Sequence, residues 1–481
     1  MLPMIIQGGM GVGISGWSLA HAVAQCGQLG VVSGTAMDAC LVRRLGDGDP
    51  GGHYRRALEA FPIPGVAKEI LDWFFRPEGR GADEGYKPLA MHKRALSLKQ
   101  FKTIVAANFA EVWLAKEGHD GEVGVNLLTK IQIPNISSLY GAMLAGVDYV
   151  LMGAGIPKEI PGCLDRLARH ESAEIRLEVI GGTGAPDEST RFDPISVWGG
   201  NAPIPLTRPN FLPIVASNSL ATMLAKKSTG SIQGFIVEGP TAGGHNAPPR
   251  GPKTYNERGE PLYGDRDAVD LSKLAELGLP FWIAGGAGSP DHLRAALDDG
   301  AAGVQVGTLF AYCEESGLRP DLKAQVLEMS RQAPVDVRTD ERASPTGFPF
   351  KVVDVPDSLS CGKTYEKRGR VCDLGYLRSP YRRDDGRIEY RCASEPVDTF
   401  VKKGGDVDDT VGRKCLCNAL MANIGLGQRR DGGVEELPLL TSGDDLRLLG
   451  QFMGCRTSYS AQDVVAHLLA GVTAAAPAGS T

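Results

Sequence analysis

The sequence predicts an α/β fold: a (β/α)8 TIM barrel with a helical insertion after strand 2 and a C-terminal α/irregular extension. Three observations predict it. Eight short apolar runs rich in Val, Ile and Phe recur along residues 1–315, each followed by apolar residues at helical spacing. Runs that are apolar throughout suit a parallel sheet buried on both faces, and eight of them alternating with helices are what this barrel requires. Glycine-rich segments follow the sixth, seventh and eighth runs, at the strand ends where such a barrel keeps its active-site loops.

Taken in order, the strands are expected at Met4 to Gln7, Gly30 to Ser33, Val123 to Asn126, Tyr149 to Met152, Pro213 to Ala216, Phe235 to Glu238, Phe281 to Ala284 and Gly303 to Val306. The helices have recognisable starts. Ser289, Pro290 and Asp291, for instance, open one whose Leu293, Ala296 and Leu297 share a face. Two interruptions break the rhythm. Residues 34–122 are too long for a loop and carry helical stretches at Ile70 to Phe75 and Leu98 to Ala115, so a helical cap over the barrel mouth is expected. A smaller insertion, residues 171–208, is rich in Gly and Pro and includes Ile195 to Trp198; it reads as an extra strand or hairpin. A helix follows Ala311, and from Pro334 the rhythm is gone. Residues 316–470 therefore read as a separate extension and 471–481 as a disordered tail.

Composition excludes several classes of function. The chain is 42% hydrophobic and 22% charged, with a net charge of −6 and a pI near 5.8, so no global basic field draws nucleic acid or anionic lipid. No apolar run is long enough to span a bilayer, and the N-terminus lacks the basic and apolar segments of a signal peptide. A cytoplasmic protein acting on a small molecule is expected.

The glycine motifs need sorting. Gly11 to Gly16 (GVGISG) matches the dinucleotide fingerprint, yet the second strand ends in Ser33, Gly34 and Thr35 without the acidic residue a Rossmann site needs, and Asp38 comes too late. It reads as a flexible loop at the end of the first strand. Gly362, Lys363 and Thr364 are no P-loop either, because Asp357 stands where the upstream glycine belongs. More telling are Ala284 to Gly288 (AGGAG) and Gln305 to Thr308 (QVGT) on the seventh and eighth strand ends, where backbone amides at helix starts bind phosphate in such barrels. In Gly234 to Pro249, a buried strand hands the chain to Glu238, then to Gly243 and Gly244, then to His245. The glycines let backbone lie flat against a planar ligand, and His245 can exchange a proton near neutral pH.

Pro3 to Met10 (PMIIQGGM), Gly124 to Asn126, Glu238 to His245, Ala284 to Gly286 and Val304 to Thr308 resemble, in order and spacing, the nitronate monooxygenase (2-nitropropane dioxygenase) family of FMN-dependent barrels, over about residues 1–315. The resemblance implies FMN, its phosphate at Gly286, Gly307 and Thr308, its ring near Gln7, Gly8, Gly9, Met10, Asn126, Glu238 and Gly243, with Gly244, Gly285 and Gln305 as further cofactor-binding residues and His245 as the catalytic residue. Met10, Met152 and Trp198 are lining candidates. The implied reaction is oxidation of an alkyl nitronate by O2 to a carbonyl compound and nitrite, without a nicotinamide cofactor. Many members have Gln at the position of Glu238 and Glu at that of Thr241. Glu238 is instead shared with FMN-dependent enoyl-ACP reductases, so NAD(P)H-dependent enoyl-thioester reduction is the alternative, and only there is an acyl carrier protein an expected partner. A third possibility is a flavin-binding or synthase-associated protein without turnover. Flavin barrels often pair, which makes a homodimer an admissible assembly.

The ten cysteines do not form the framework of a small secreted protein. Cys26, Cys40, Cys163 and Cys313 read as buried fillers. Cys361, Cys372, Cys392, Cys415 and Cys417 crowd into one stretch without the paired C-x2-C spacing of common zinc modules. Buried packing or a redox pair is the preferred reading over a metal site.

Overall fold

The computed structural model describes residues 2–200, 204–430 and 433–473. Among the described residues ten strands occur up to residue 306: β1 (Ile5–Gln7), β2 (Gly30–Ser33), β3 (Val123–Leu128), β4 (Tyr149–Gly153), β5 (Ala173–Arg176), β6 (Ser189–Phe192), β7 (Asn210–Val215), β8 (Phe235–Glu238), β9 (Phe281–Ala284) and β10 (Gly303–Val306). Eight of them pair in parallel in the order β1-β10-β9-β8-β7-β4-β3-β2. Gln7 N–H donates to the Leu29 carbonyl (2.9 Å) and Leu29 N–H to that of Ile5 (3.1 Å), which brings the two end strands together. The expected eight strands are these eight; the fifth begins earlier than predicted, at Asn210.

Successive side chains on a strand point to opposite faces, and the core divides accordingly. Ile6, Val31, Leu151, Leu212, Ile236 and Trp282 fill the barrel interior. Their neighbours Ile5, Val32, Val150, Phe211, Phe235 and Phe281 face the surrounding helices in the larger cluster. This double burial is why the strands read as unbroken apolar runs.

Helix Leu98–Lys116 opens with a capping box, Ser97 with Gln100, and is buried along Thr103–Val112 on every side. It packs between Trp17–Gln25 and Gln132–Leu144, in the ring of helices around the barrel. The shorter helices Met37–Gly46, His53–Glu59 and Val66–Phe74 pack on its far side. The expected cap over the mouth is thus a buttress on the wall, because an Ala-rich helix without a polar face must be covered from outside. The smaller insertion holds the antiparallel hairpin β5–β6, while Ile195 to Trp198 lie in a short helix, Pro194–Trp198, capped by Asp193.

Beyond Gln332 the described residues form three antiparallel pairs, β11 (Val337–Asp340) with β12 (Phe350–Val353), β13 (Ser379–Arg382) with β14 (Ile388–Arg391) and β15 (Arg429–Arg430) with β16 (Val434–Glu435). A small core of Phe350, Val352, Leu359, Leu377, Leu416 and Leu439 underlies the first two. Helix Ala461–Thr473 packs against both Pro290–Asp298 and Trp17–Gln25, filling the place between the seventh and first barrel helices. Residues 471–473 of the expected tail are therefore helical; from 474 it lies outside the described residues. Among the described residues, no helix is long and apolar enough to cross a membrane.

Candidate active site

One cavity opens at the C-terminal ends of the barrel strands. The loop after β1 contributes Gly8, Gly9 and Met10, and β3 contributes Asn126. Glu238 stands at the end of β8, followed by Gly243, Gly244 and His245; Gly285, Gly286, Gln305, Gly307 and Thr308 come from the ends of β9 and β10. Thirteen of the fourteen sequence-expected site residues therefore meet in one place.

Gln7 is the exception: it is fully buried away from the cavity. Its Oε1 accepts from Val31 N–H (3.0 Å), and its Nε2 donates to Ser15 Oγ (2.8 Å) and to the Gly8 carbonyl. It braces the β1 loop against β2 rather than touching a ligand. Two lining candidates also fall elsewhere. Met152 is buried in the core, and Trp198 donates to Tyr140 Oη (2.6 Å) on the outer side of the barrel wall.

Two chemically active side chains, Glu238 and His245, line this cavity, and burial alone sets their titration among the described residues. Glu238 and His245 keep part of their surface open to the cavity, but protein encloses both deeply. Desolvation pushes the Glu238 carboxyl up to about 7 and the His245 imidazole down to about 4. At neutral pH His245 is uncharged and Glu238 is divided between acid and carboxylate.

The residues fit a flavin. Among the described residues Asn126 Oδ1 and Gln305 Oε1 are buried acceptors without a partner, whereas Asn126 Nδ2 already donates to the Gly9 carbonyl (3.2 Å). An orphaned buried acceptor is costly unless a ligand N–H meets it. Gly9 lies so close to Asn126 that a Cβ there would come within 2.3 Å of the Asn126 Cβ, so the loop is flattened as a face against a ring needs. At the expected phosphate end, Thr308 Oγ1 accepts from Gly443 N–H (3.0 Å), which leaves its own hydroxyl hydrogen to donate.

Sequence reasoning missed the other half of the site. The extension supplies Phe350, Leu377, Leu416 and Leu420 as an apolar roof, and its segment Thr441 to Asp445 closes the phosphate end. Gly244 N–H donates to Thr441 Oγ1 (2.9 Å), Gly288 N–H to Asp445 Oδ2 (3.0 Å), and Asp444 N–H to the Thr241 carbonyl (2.9 Å). A Cβ on Gly243 would stand 2.8 Å from Gly443 N, so that glycine is required by the contact between barrel and extension. His245 is clamped from the same side. Its Nε2 lies 2.7 Å from Ser344 Oγ, and the rings of Phe350 and Phe348 meet the imidazole edge-on at 4.8 and 6.4 Å. No periodicity marks residues 344–350; only their pairing with a loop a hundred residues away gives them a role.

Residues 206–340 match the family described as nitronate monooxygenase. That match runs from just before β7 to the end of β11, over the second half of the barrel and the start of the extension. The chain is accordingly a flavin-dependent oxidoreductase, and FMN is the flavin typical of the family. No curated protein matches the sequence. Similar solved structures include FabK from Thermotoga maritima (16% identity, TM-score 0.48, 98% of this chain and 93% of that one), nitroalkane oxidase from Streptomyces ansochromogenes (14%, 0.44, 98% and 98%) and the enoyl reductase domain of MlnA from Bacillus amyloliquefaciens (10%, 0.46, 98% and 94%).

Among the described residues, no group of three or more His, Cys, Asp or Glu side chains is arranged to hold a metal ion, and all ten cysteines are free. Cys392 and Cys415 are buried; Cys361, Cys372 and Cys417 are partly so, and Cys417 reaches the cavity wall.

Proposed function

We propose that the protein oxidises alkyl nitronates, with O2 as the final electron acceptor, to a carbonyl compound and nitrite. The observation that carries this reading is a neutral His245 in an enclosed, largely apolar chamber. A neutral imidazole can donate one hydrogen bond to an anionic nitronate oxygen, or accept the acidic proton of a neutral nitroalkane; an imidazolium could only donate. Glu238, partly protonated at neutral pH, can donate a hydrogen bond without placing a full negative charge beside an anionic substrate. Asn126 and Gln305 would hold the polar edge of FMN, and Thr308 with the glycine loops its phosphate. FMN, when bound, supplies the electron transfer to O2. The roof of Phe350, Leu377, Leu416 and Leu420 keeps water from the reacting carbon.

A second reading, NAD(P)H-dependent reduction of an enoyl thioester, is favoured by one residue: Glu238 itself, which the resemblance shares with the enoyl reductases. Anaerobic stopped-flow absorbance separates the two. With the nitronate reading, an alkyl nitronate alone bleaches the flavin and readmitted oxygen yields nitrite. Bleaching by NADH or NADPH only, with colour restored by an enoyl thioester, would reject it in favour of reduction.

A further inference from the structure

We propose that Ser344, from the extension, is the positioning residue that holds His245 as the Nε2–H tautomer and so leaves Nδ1 as the nitrogen that meets substrate. This rests on the second of the two roles given to His245 under the proposed function, taking the acidic proton of a neutral nitroalkane to form the nitronate in the site.

Ser344 is fully buried, and its Oγ has three polar neighbours: Thr346 N (3.2 Å), Thr346 Oγ1 (2.8 Å) and His245 Nε2 (2.7 Å). A hydroxyl offers one hydrogen and two acceptor sites. The Thr346 amide can only donate, and occupies one acceptor site. What remains is one hydrogen and one acceptor site, to be divided between Thr346 Oγ1 and His245 Nε2. Thr346 is partly exposed and can give its own hydrogen to solvent, so Thr346 Oγ1 is free to accept the Ser344 hydrogen. With that division the last acceptor site takes the hydrogen of His245 Nε2, and it is the one that leaves His245 a lone pair at Nδ1 for the proton it exchanges. In the opposite arrangement Nδ1 would carry the hydrogen and have no lone pair with which to take a proton.

The surroundings hold this arrangement in place. Arg413 donates to the Ser344 carbonyl (2.7 Å), and Lys414 N–H donates to that of Ala343 (2.8 Å). On the other side Lys351 N–H donates to the Gly244 carbonyl and Asn246 N–H to that of Pro349 (both 2.9 Å), so β12 is laced to the histidine loop on either side of His245. Phe348 and Phe350 restrict rotation of the ring. The barrel thus delivers the histidine, and the extension decides which nitrogen works.

The test is the 15N NMR spectrum of flavin-loaded, full-length protein labelled at its eight histidines. His245→Gln assigns the ring, and the shifts distinguish a protonated ring nitrogen from a bare one. Wild type should show protonated Nε2 and bare Nδ1. Ser344→Ala should mix the tautomers and lower kcat/KM about 10- to 100-fold, the usual loss when a group orienting a working histidine is removed. Ser344→Thr, which keeps the hydroxyl, should restore the wild-type pattern. Thr346→Val, which removes the acceptor of the Ser344 hydrogen without touching His245, should also mix the tautomers, and it keeps the test open if Ser344→Ala does not fold. A protonated Nδ1 in wild type, unchanged ring signals in both variants, or altered signals with unchanged kcat/KM each overturn the proposal. The tautomer is read without turnover, so it stands or falls separately from the choice between nitronate and enoyl thioester.

Discussion

The barrel and the extension are built on different physics, and the active site needs both. Every barrel strand is buried on two faces, and its core is a continuous apolar mass. The extension joins that mass through residues such as Val353, Ile424, Leu446 and Leu468, but its own core is small and polar contacts tie down the part that covers the site. Arg368 and Arg430 both reach Glu436, whose side chain is 2% exposed; Arg382 pairs with Glu188 of the β5–β6 insertion; Lys351 pairs with Asp444 beside the phosphate loop. Apolar burial is tolerant of sequence and fixes a frame. Directed hydrogen bonds fix orientation, which is what a catalytic side chain requires. The difference teaches that the extension serves as a second jaw of the site: it supplies the roof, the cover of the phosphate end and the clamp on His245.

The largest effect should come at the point the two regions share. His245→Gln keeps the size and a hydrogen-bond donor but loses the base, and should lower the rate of flavin reduction by a neutral nitroalkane about 10²- to 10⁴-fold, the span typical of general acid–base catalysis. Flavin content should stay at the wild-type level, measured by absorbance of the purified protein. Loss of flavin together with activity would mean that His245 holds the loop rather than the proton.

Next is the fold of the extension. Arg368→Met removes one of two partners of a buried carboxylate and should destabilise by about 3 kcal/mol, the low end for breaking a buried pair, since Arg430 remains at 2.8 Å. All five tryptophans lie before residue 300, so their fluorescence reports the barrel, while activity reports the clamp. If the extension is one cooperative unit with the barrel, denaturant should move both midpoints together. An early loss of activity with an unmoved fluorescence midpoint would make the extension a separately melting piece.

This contrast also explains what the sequence made legible. β2, β8, β9 and β10 lie at their predicted boundaries because their side chains are apolar on both faces and end in glycine, which is a pattern within a few residues. The start of β7 differs because Pro213, a residue that seldom stands inside a strand, interrupts the run from Phe211 and draws the expected start to itself. Gln7 was drawn into the ring site by its position beside Gly8, although period-two alternation turns it the other way. Ser344 and Phe350 could not be found, since their roles rest on contacts with residues about a hundred positions away, and irregular backbone carries no period. Motif spacing reports local geometry; a clamp assembled from two distant segments has none.

Smaller in size but sharper in sign is the pH response of the cavity. The Glu238 carboxyl, raised to about 7, holds its proton in the folded protein at pH values where the unfolded chain has released it. Its burial therefore costs stability increasingly as pH rises from the ordinary carboxylate range to about 7, and in full above that. His245, lowered to about 4, acts at the other end: below about 6.5 the unfolded chain takes up a proton that the folded one refuses, so stability falls as pH drops toward 4. Glu238→Gln should thus gain stability over wild type at pH 8 and lose that advantage at pH 4.5, by chemical denaturation. His245→Gln should show its gain at pH 4.5 and none at pH 8. Equal differences at both pH values would place these groups in solvent rather than in an enclosed chamber.

The smallest expected effect tests the boundary of the site. Trp198, a lining candidate by sequence, donates its indole N–H to Tyr140 Oη, which also lies 2.7 Å from His170 Nδ1, in a cluster packed outside the barrel wall. Trp198→Phe should cost about 1–2 kcal/mol of stability, from one buried hydrogen bond and some packing area, and leave kcat/KM within about twofold of wild type. Leu416→Ala, of similar apolar size, should do the reverse where it counts: it opens the roof over the cavity and should raise KM for longer alkyl nitronates by roughly fourfold per methylene no longer covered. A Trp198→Phe protein with impaired turnover would mean that the wall transmits strain to the strand ends, and the division between a tolerant frame and a directed clamp would have to be redrawn.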